Sequence, residues 1–457
     1  MRKKIGLLWI AMLCFLPTAF AAQQAPIAVG FEDTATLISY DGDMLVELGT
    51  YDAIFALQEM SALQGDLPAQ QNESGKTLYA AGKKGDNGEL LYALIDDAGE
   101  RLTEMEYGML SREGGSILFL KDGLYGALSP EGELLVEPKY TMLVSNGEGG
   151  FLATTTEYWD DEPDGVYWID AAGNVSATGV KTMSGLEQFH QGLMPALSAE
   201  NQLYGYLNAQ GQWAIRPQLT SAGAFSGDYA VASLSTGYGL LDRTGNWVVT
   251  PKYEYLNYEV GGLILAQEDQ KTVRVLDAST FEEKFTISGE ELYCASLGER
   301  VQVYDTDRVQ LYDAEGTLLN ESGAFSGYAY GENGQTILYA GAWGEECVYL
   351  LDAQGKTVAG PFQSLSLLDR YEGTAYYSFM TFDTESTYSE ELGENLYDWD
   401  EESVRNGVID QEGRLVLSAE YEELYRLAEN RLFARKDARE GVISLDGSWI
   451  YSRERQD

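Results

Sequence analysis

Residues 238–253 read Tyr238-Gly-Leu-Leu-Asp-Arg-Thr-Gly245-Asn-Trp-Val-Val-Thr-Pro251-Lys-Tyr253. Gly239 to Asp242 has the apolar make-up of a short strand, and Trp247-Val-Val that of its partner. Between them, Asp followed closely by Gly supplies the positive φ that a hairpin turn needs. Pro251 closes the hairpin, because it cannot donate to a ladder. A further strand follows at Gly262-Leu-Ile-Leu-Ala.

The phrase is not isolated. It occurs as Tyr125-Gly126-Ala-Leu-Ser-Pro-Glu-Gly132-Glu-Leu-Leu-Val-Glu-Pro138-Lys-Tyr140, and as Tyr204-Gly205-Tyr-Leu-Asn-Ala-Gln-Gly211-Gln-Trp213-Ala-Ile-Arg-Pro217. Its turn glycine can be followed as Gly42, Gly99, Gly132, Gly173, Gly211, Gly245, Gly316, Gly355, Gly413 and Gly447. An eleventh unit, around Asp277-Ala-Ser-Thr280, lacks it. Gly-Ala-Phe-Ser-Gly occurs identically at 223–227 and 323–327, a further mark of repetition. Spacings cluster between 33 (99 to 132) and 41 (132 to 173); two gaps, Gly42 to Gly99 and Gly355 to Gly413, are longer and hold insertions that include 58–87 and 381–403. A period of this size decides architecture.

One such unit is a small sheet with too little core to stand alone, so it buries its apolar faces against neighbouring copies. The fold class expected is all-β, a tandem array of antiparallel hairpin blades resembling a β-propeller. Propellers have roughly four to eight blades. Eleven units therefore imply two rings or an open superhelical array, with a seam near 256–290 where the glycine is missing.

The chain opens as an export signal does. Arg2-Lys3-Lys4 precedes an apolar run from Ile5 to Leu16, and Ala19-Phe-Ala21 is a small-x-small cleavage pattern. Residues 1–21 are expected to be removed after Ala21, leaving 22–457 as the repeat region outside the cytoplasm. The run is too short and wrongly flanked for a retained span. Leu13 before Cys14 does not fit a lipobox.

The formal charge of -43 becomes about -46 once the three leader cations are gone, with ordinary protonation. That excludes nucleic acid, which needs a basic stripe, and disfavours anionic lipid surfaces. Cationic partners are compatible. Cys294 and Cys347 remain after processing, and free thiols are expected in preference to a bridge.

The phrase resembles the WG repeat, a bacterial β-repeat whose consensus runs Trp-Gly, Ile-Asp, a turn Gly, Trp-Val-Ile, Pro-x-Tyr and Phe-x-x-Gly-x-Ala-x-Val. The resemblance is best at 125–140, 204–232 and 238–266 and fair at 406–421. Tyr125, Tyr204, Tyr238, Asn406 and Glu440 stand where the family has Trp. The resemblance implies an all-β interaction module with no defined enzymatic activity.

The chemistry-bearing residues follow the repeat. Trp213, Trp247 and Trp449 each sit two residues after a turn glycine, so packing explains them better than ligand stacking. Gly126, Gly132, Gly205, Gly211, Gly239, Gly245, Gly413 and Gly447, with Pro138, Tyr140, Pro251 and Tyr253, are read as structural. Trp159, Trp343 and Trp399 are out of register and are the better candidates for ligand contact. Asp96, Asp170, Asp242, Asp352 and Asp410 share one position and read as turn residues. His190 has no triad motif around it. No catalytic residue or cofactor is assigned. Asp160, Glu162 and Asp164 mimic the start of a calcium loop, although Ala171 stands where its bidentate Glu belongs.

The function expected is an exported binding or scaffold protein whose partner is a protein or a cell-envelope polymer. The alternatives are a carboxylate-dependent glycan hydrolase with its site in a propeller funnel, and a calcium-stabilised surface protein.

Overall fold

The computed structural model describes residues 24–58, 77–85, 88–155, 165–182, 186–341, 347–389 and 394–455. The expected leader, Trp159, Asp160, Glu162, Asp164 and Trp343 lie outside them.

The repeat phrase folds as its residue types direct. Over residues 221–253, β18 (Ser221–Ala222), β19 (Tyr229–Leu234), β20 (Gly237–Asp242) and β21 (Trp247–Tyr253) form one antiparallel sheet in sequence order. The Asp242 carboxylate accepts the N–H groups of Thr244 at 2.8 Å and Asn246 at 2.9 Å. Gly245 adopts φ +89°, a conformation that costs a side-chain-bearing residue about 1–2 kcal/mol. Asp96, Asp170, Asp352 and Asp410 each accept the same pair of N–H groups, two and four residues on.

A bulge explains the first glycine of the phrase. Leu240 pairs with Val249, but Tyr238 pairs with Tyr253, so β21 carries two extra residues around Pro251. The bulged strand crosses close over Gly239, where a Cβ would lie 2.5 Å from the Val249 carbonyl oxygen. Gly205 meets Ile215 at the same distance. The Tyr of Pro-x-Tyr is then buried, at Tyr140 and Tyr253 alike.

Eleven such sheets follow one another: residues 27–51, 53–95, 109–140, 142–181, 193–219, 221–253, 255–288, 293–323, 327–362, 364–421 and 423–454. We call them blades 1 to 11. Blade 10 carries an inserted hairpin, β36 (Thr384–Ser389) and β37 (Glu394–Trp399). The only helix among the described residues is one 3-10 turn, Glu401–Ser403.

Alternation along each strand divides its side chains between two interfaces. In β23 (Leu263–Asp269), Ile264 and Ala266 pack toward blade 6, while Leu263 and Leu265 pack toward blade 8. Among the described residues the core falls into eleven clusters, one per pair of neighbouring blades. An open array of eleven blades has only ten such interfaces. The eleventh joins Ile27, Val29 and Ile38 of blade 1 to Phe433 and Val442 of blade 11.

The array is therefore one closed ring, a β-propeller of eleven blades, and neither two rings nor an open superhelix. Blade 7 packs on both sides like the others. Closure involves no shared strand, since blades 1 and 11 are separate sheets. Tyr40 hydroxyl donates to the Glu429 carbonyl at 2.9 Å, Arg431 Nε donates to the Tyr40 carbonyl at 3.0 Å, and the Arg431 guanidinium lies 3.7 Å from the Tyr40 ring centre.

Successive blades are tightly coupled. A single residue links them at Asp52, Thr141, Thr220, Glu254, Gln363 and Glu422. Each of these donates its backbone N–H to the second strand of the next blade, as Glu254 does to Gln267 at 2.8 Å.

Candidate functional site: a groove between blades 7 and 8

The one-residue joint at Glu254 leads into β22 (Tyr255–Tyr258), whose first residue lines a common groove with the residues entering β26 (Tyr293–Ser296). The loop entering β26 is tied down by its backbone. Gly289 N–H donates to the Lys271 carbonyl at 3.0 Å, and Leu292 N–H to the Gln270 carbonyl at 2.6 Å. Buried Gln267 donates from Nε2 to the Leu292 carbonyl at 3.0 Å and accepts the Cys294 thiol at 3.4 Å.

These contacts shape a groove of about 280 Å³, floored by Leu292, Gln267 and Cys294 and walled by Tyr255 and Tyr293. The tyrosines are 39% and 58% exposed, while Leu292 is 2% exposed. Glu254, Asp269 and Gln270 also line a wider shelf of about 740 Å³, completed by Lys271, Glu290, Glu291 and Thr306. The rim therefore carries four carboxylates against one ammonium.

Burial sets the protonation of the groove's titratable groups. Burial pushes the Cys294 thiol up to about 12, so at neutral pH it is protonated and a poor nucleophile. Burial also raises the Tyr255 phenol, with a smaller contribution from Cys294. Cys294 and Cys347 are both free. No three potential metal ligands converge anywhere among the described residues.

The described residues singled out in the sequence lie elsewhere. Trp213, Trp247 and Trp449 pack against the cores of the blade 4–5, 5–6 and 10–11 interfaces. Trp449 also lies 4.7 Å from the Arg439 guanidinium, in a cleft of about 680 Å³ with Arg453. Those cations are engaged: Arg439 Nε donates to Ser452 Oγ at 2.9 Å and Arg453 Nε to Glu440 at 2.9 Å. Trp399 ends β37, its Cα paired with that of Thr384. His190 is half-buried in a loop bridged to Leu193, and burial lowers its pKa.

Sequence reasoning did not find Tyr255, Tyr293 or the four rim carboxylates. The available signal was the blade 7 turn that lacks its glycine, followed by Glu290-Glu291. That turn is held otherwise: Asp277 accepts Ser279 and Thr280, which pull its carboxyl down to about 2, and Phe281 takes φ +60°.

Three stretches, 204–234, 238–271 and 407–439, match the family model of the WG containing repeat. Those stretches, in blades 5 to 7, 10 and 11, are WG-type repeat units. No curated protein matches its sequence. Similar solved structures include BamB from Moraxella catarrhalis, 12% identical, covering 59% of this chain and 92% of that one with a TM-score of 0.31. Apo AztD from Citrobacter koseri is 14% identical, covering 73% and 93%, with a TM-score of 0.29. PorZ, a surface component of the type-IX secretion system of Porphyromonas gingivalis, is 12% identical, covering 78% and 52%, with a TM-score of 0.25. At these TM-scores the likeness carries no weight, and the ring stands on its own interfaces. No helix among the described residues is long and apolar enough to cross a membrane.

Proposed function

We propose that this WG-repeat propeller is an exported, extracytoplasmic binding or scaffold protein whose partner is a protein or a cell-envelope polymer. The observation that carries the reading is the groove between blades 7 and 8. It exposes two tyrosine faces over a tied-down floor, and its one thiol is held protonated. Aromatic side chains that are held in place and wet on one side suit binding.

The experiment is a pull-down from solubilised cell envelope with the chain from residue 22 onward immobilised, run beside a screen for glycan turnover. Specific retention of an envelope component without turnover supports the proposal. Turnover without retention replaces it with the hydrolase. Export is tested separately by fractionation and by N-terminal sequencing, with Ala22 expected as the first residue.

A further inference from the structure

We propose that the groove between blades 7 and 8 receives an extended, lysine- or arginine-bearing segment of a partner protein. This rests on the binding reading above and names the chemistry of the partner.

The walls of the groove are phenol rings open to solvent, and such faces attract ammonium and guanidinium groups. The protein makes this pairing repeatedly with its own residues. Lys252 Nζ lies 4.8 Å from the Tyr253 ring centre, Lys139 Nζ 5.2 Å from that of Tyr140, and Arg431 3.7 Å from that of Tyr40. Tyr255 and Tyr293, exposed where Tyr140 and Tyr253 are buried, carry no internal cation on their rings among the described residues.

Charge points the same way. Glu254, Asp269, Glu290 and Glu291 are exposed along the rim, and none is in an ion pair among the described residues. They do not converge as metal ligands. Carboxylates spread along a trough suit charges spread along a segment better than one divalent ion, which needs its oxygens gathered at about 2.3–2.6 Å. The chain's formal charge of -43 adds a field that draws cationic partners in and repels acidic ones. The tied-down floor means that little ordering is required when the segment docks.

The test uses the whole chain from residue 22 and fluorescence anisotropy with labelled peptides of alternating lysine and serine, or of glutamate and serine. The lysine peptide should bind, with an affinity that falls as salt rises, and the glutamate peptide should not. Glu290→Gln with Glu291→Gln should weaken lysine-peptide binding about tenfold, and Tyr293→Ala should weaken it as well. Both variants should keep the parent melting temperature, because all three side chains are exposed. Equal binding of the two peptides overturns the proposal. So does unchanged affinity in both variants, or displacement of the peptide by a glucosamine oligomer at lower concentration than by unlabelled peptide. Retention of an envelope component by the Gln variant, with peptide binding equally unchanged, would remove this inference and leave the broader binding reading standing.

Discussion

Gly42 of the first blade packs against Ile450 of the last: a Cβ on Gly42 would lie 2.5 Å from the Ile450 carbonyl oxygen. The same relation recurs between consecutive blades. Gly355 meets Leu319 at 2.5 Å, Gly132 meets Leu102 at 2.9 Å, and Gly413 meets Val358 at 3.1 Å, each through a carbonyl oxygen. The turn glycine of one blade thus rests on the last strand of the blade before it or, for Gly132, on the segment just after that strand, and the closing contact obeys the rule that governs the internal ones.

The closing glycine should therefore cost as much to replace as an internal one. Gly42→Ala and Gly355→Ala should each destabilise by about 3 kcal/mol or more, from left-handed strain plus the carbonyl clash. Gly49→Ala supplies the baseline, since Gly49 has φ +83° with nothing within 4 Å of its Cβ position, and should cost about 1–2 kcal/mol. Thermal unfolding of the three variants checks this. A Gly42→Ala protein as stable as Gly49→Ala would mean that the ring does not depend on its closing contact.

Tyr377 links blades 9 and 10 through its hydroxyl, which accepts the Glu332 N–H at 2.8 Å and donates to Gln335 Oε1 at 2.8 Å. The ring itself is fully buried. Tyr377→Phe keeps the packing and strands both partners, so it should lose about 1–3 kcal/mol. Chemical denaturation, with the midpoint compared with the parent, measures the loss.

Strand β23 offers a paired test of alternation. Leu265→Ala opens the interface of blades 7 and 8, and Ile264→Ala that of blades 6 and 7. Both residues are fully buried, and each change should cost about 2–5 kcal/mol. Hydrogen exchange should show deprotection spreading toward blade 8 in the first variant and toward blade 6 in the second.

Stability should fall at both pH extremes for identifiable reasons. Burial raises the Cys294 thiol from 9.0 to about 12 and the Tyr377 phenol from 10.0 to about 12. An acid whose folded pKa is raised contributes stability below its unfolded value, and loses it as pH climbs through the window. The melting temperature should therefore drop between pH 9 and pH 12, and Cys294→Ser should remove part of that slope. Asp277 runs the other way, from 3.8 down to about 2 through hydrogen bonds from the Ser279 hydroxyl and the Thr280 and Ser279 amides. Its contribution is present above pH 3.8 and is lost as pH falls toward 2. Asp277→Asn should flatten the acid limb.

The blades were legible because each is written locally. A carboxylate that caps its own turn, a glycine at positive φ and a proline at a bulge are all encoded within sixteen residues, as 238–253 shows. Closure was not legible, because the rotation from blade to blade is set by side-chain packing at every interface and leaves no signature in any one unit.

Identity of sequence marks the repetition without fixing the setting. Gly-Ala-Phe-Ser-Gly at 223–227 lies between the first two strands of blade 6, where Phe225 is 3% exposed beside Tyr206 at 4.8 Å. The same five residues at 323–327 span the joint of blades 8 and 9, where Phe325 is 80% exposed. The groove stayed hidden for a related reason. Glu254, Asp269 and Tyr293 belong to three separate segments, and only the short joint and the Gln267 bridge bring them together.

Because no strand is exchanged where the circle shuts, the order of the eleven copies has a beginning only in the gene. A chain opened at the Glu254 joint, with its original ends spliced, would present the same succession of contacts to its neighbours. Gain or loss of one whole copy likewise asks for a slightly different wedge angle and no rerouting of the backbone, so the circumference of such a molecule is free to drift while its blades stay as they are.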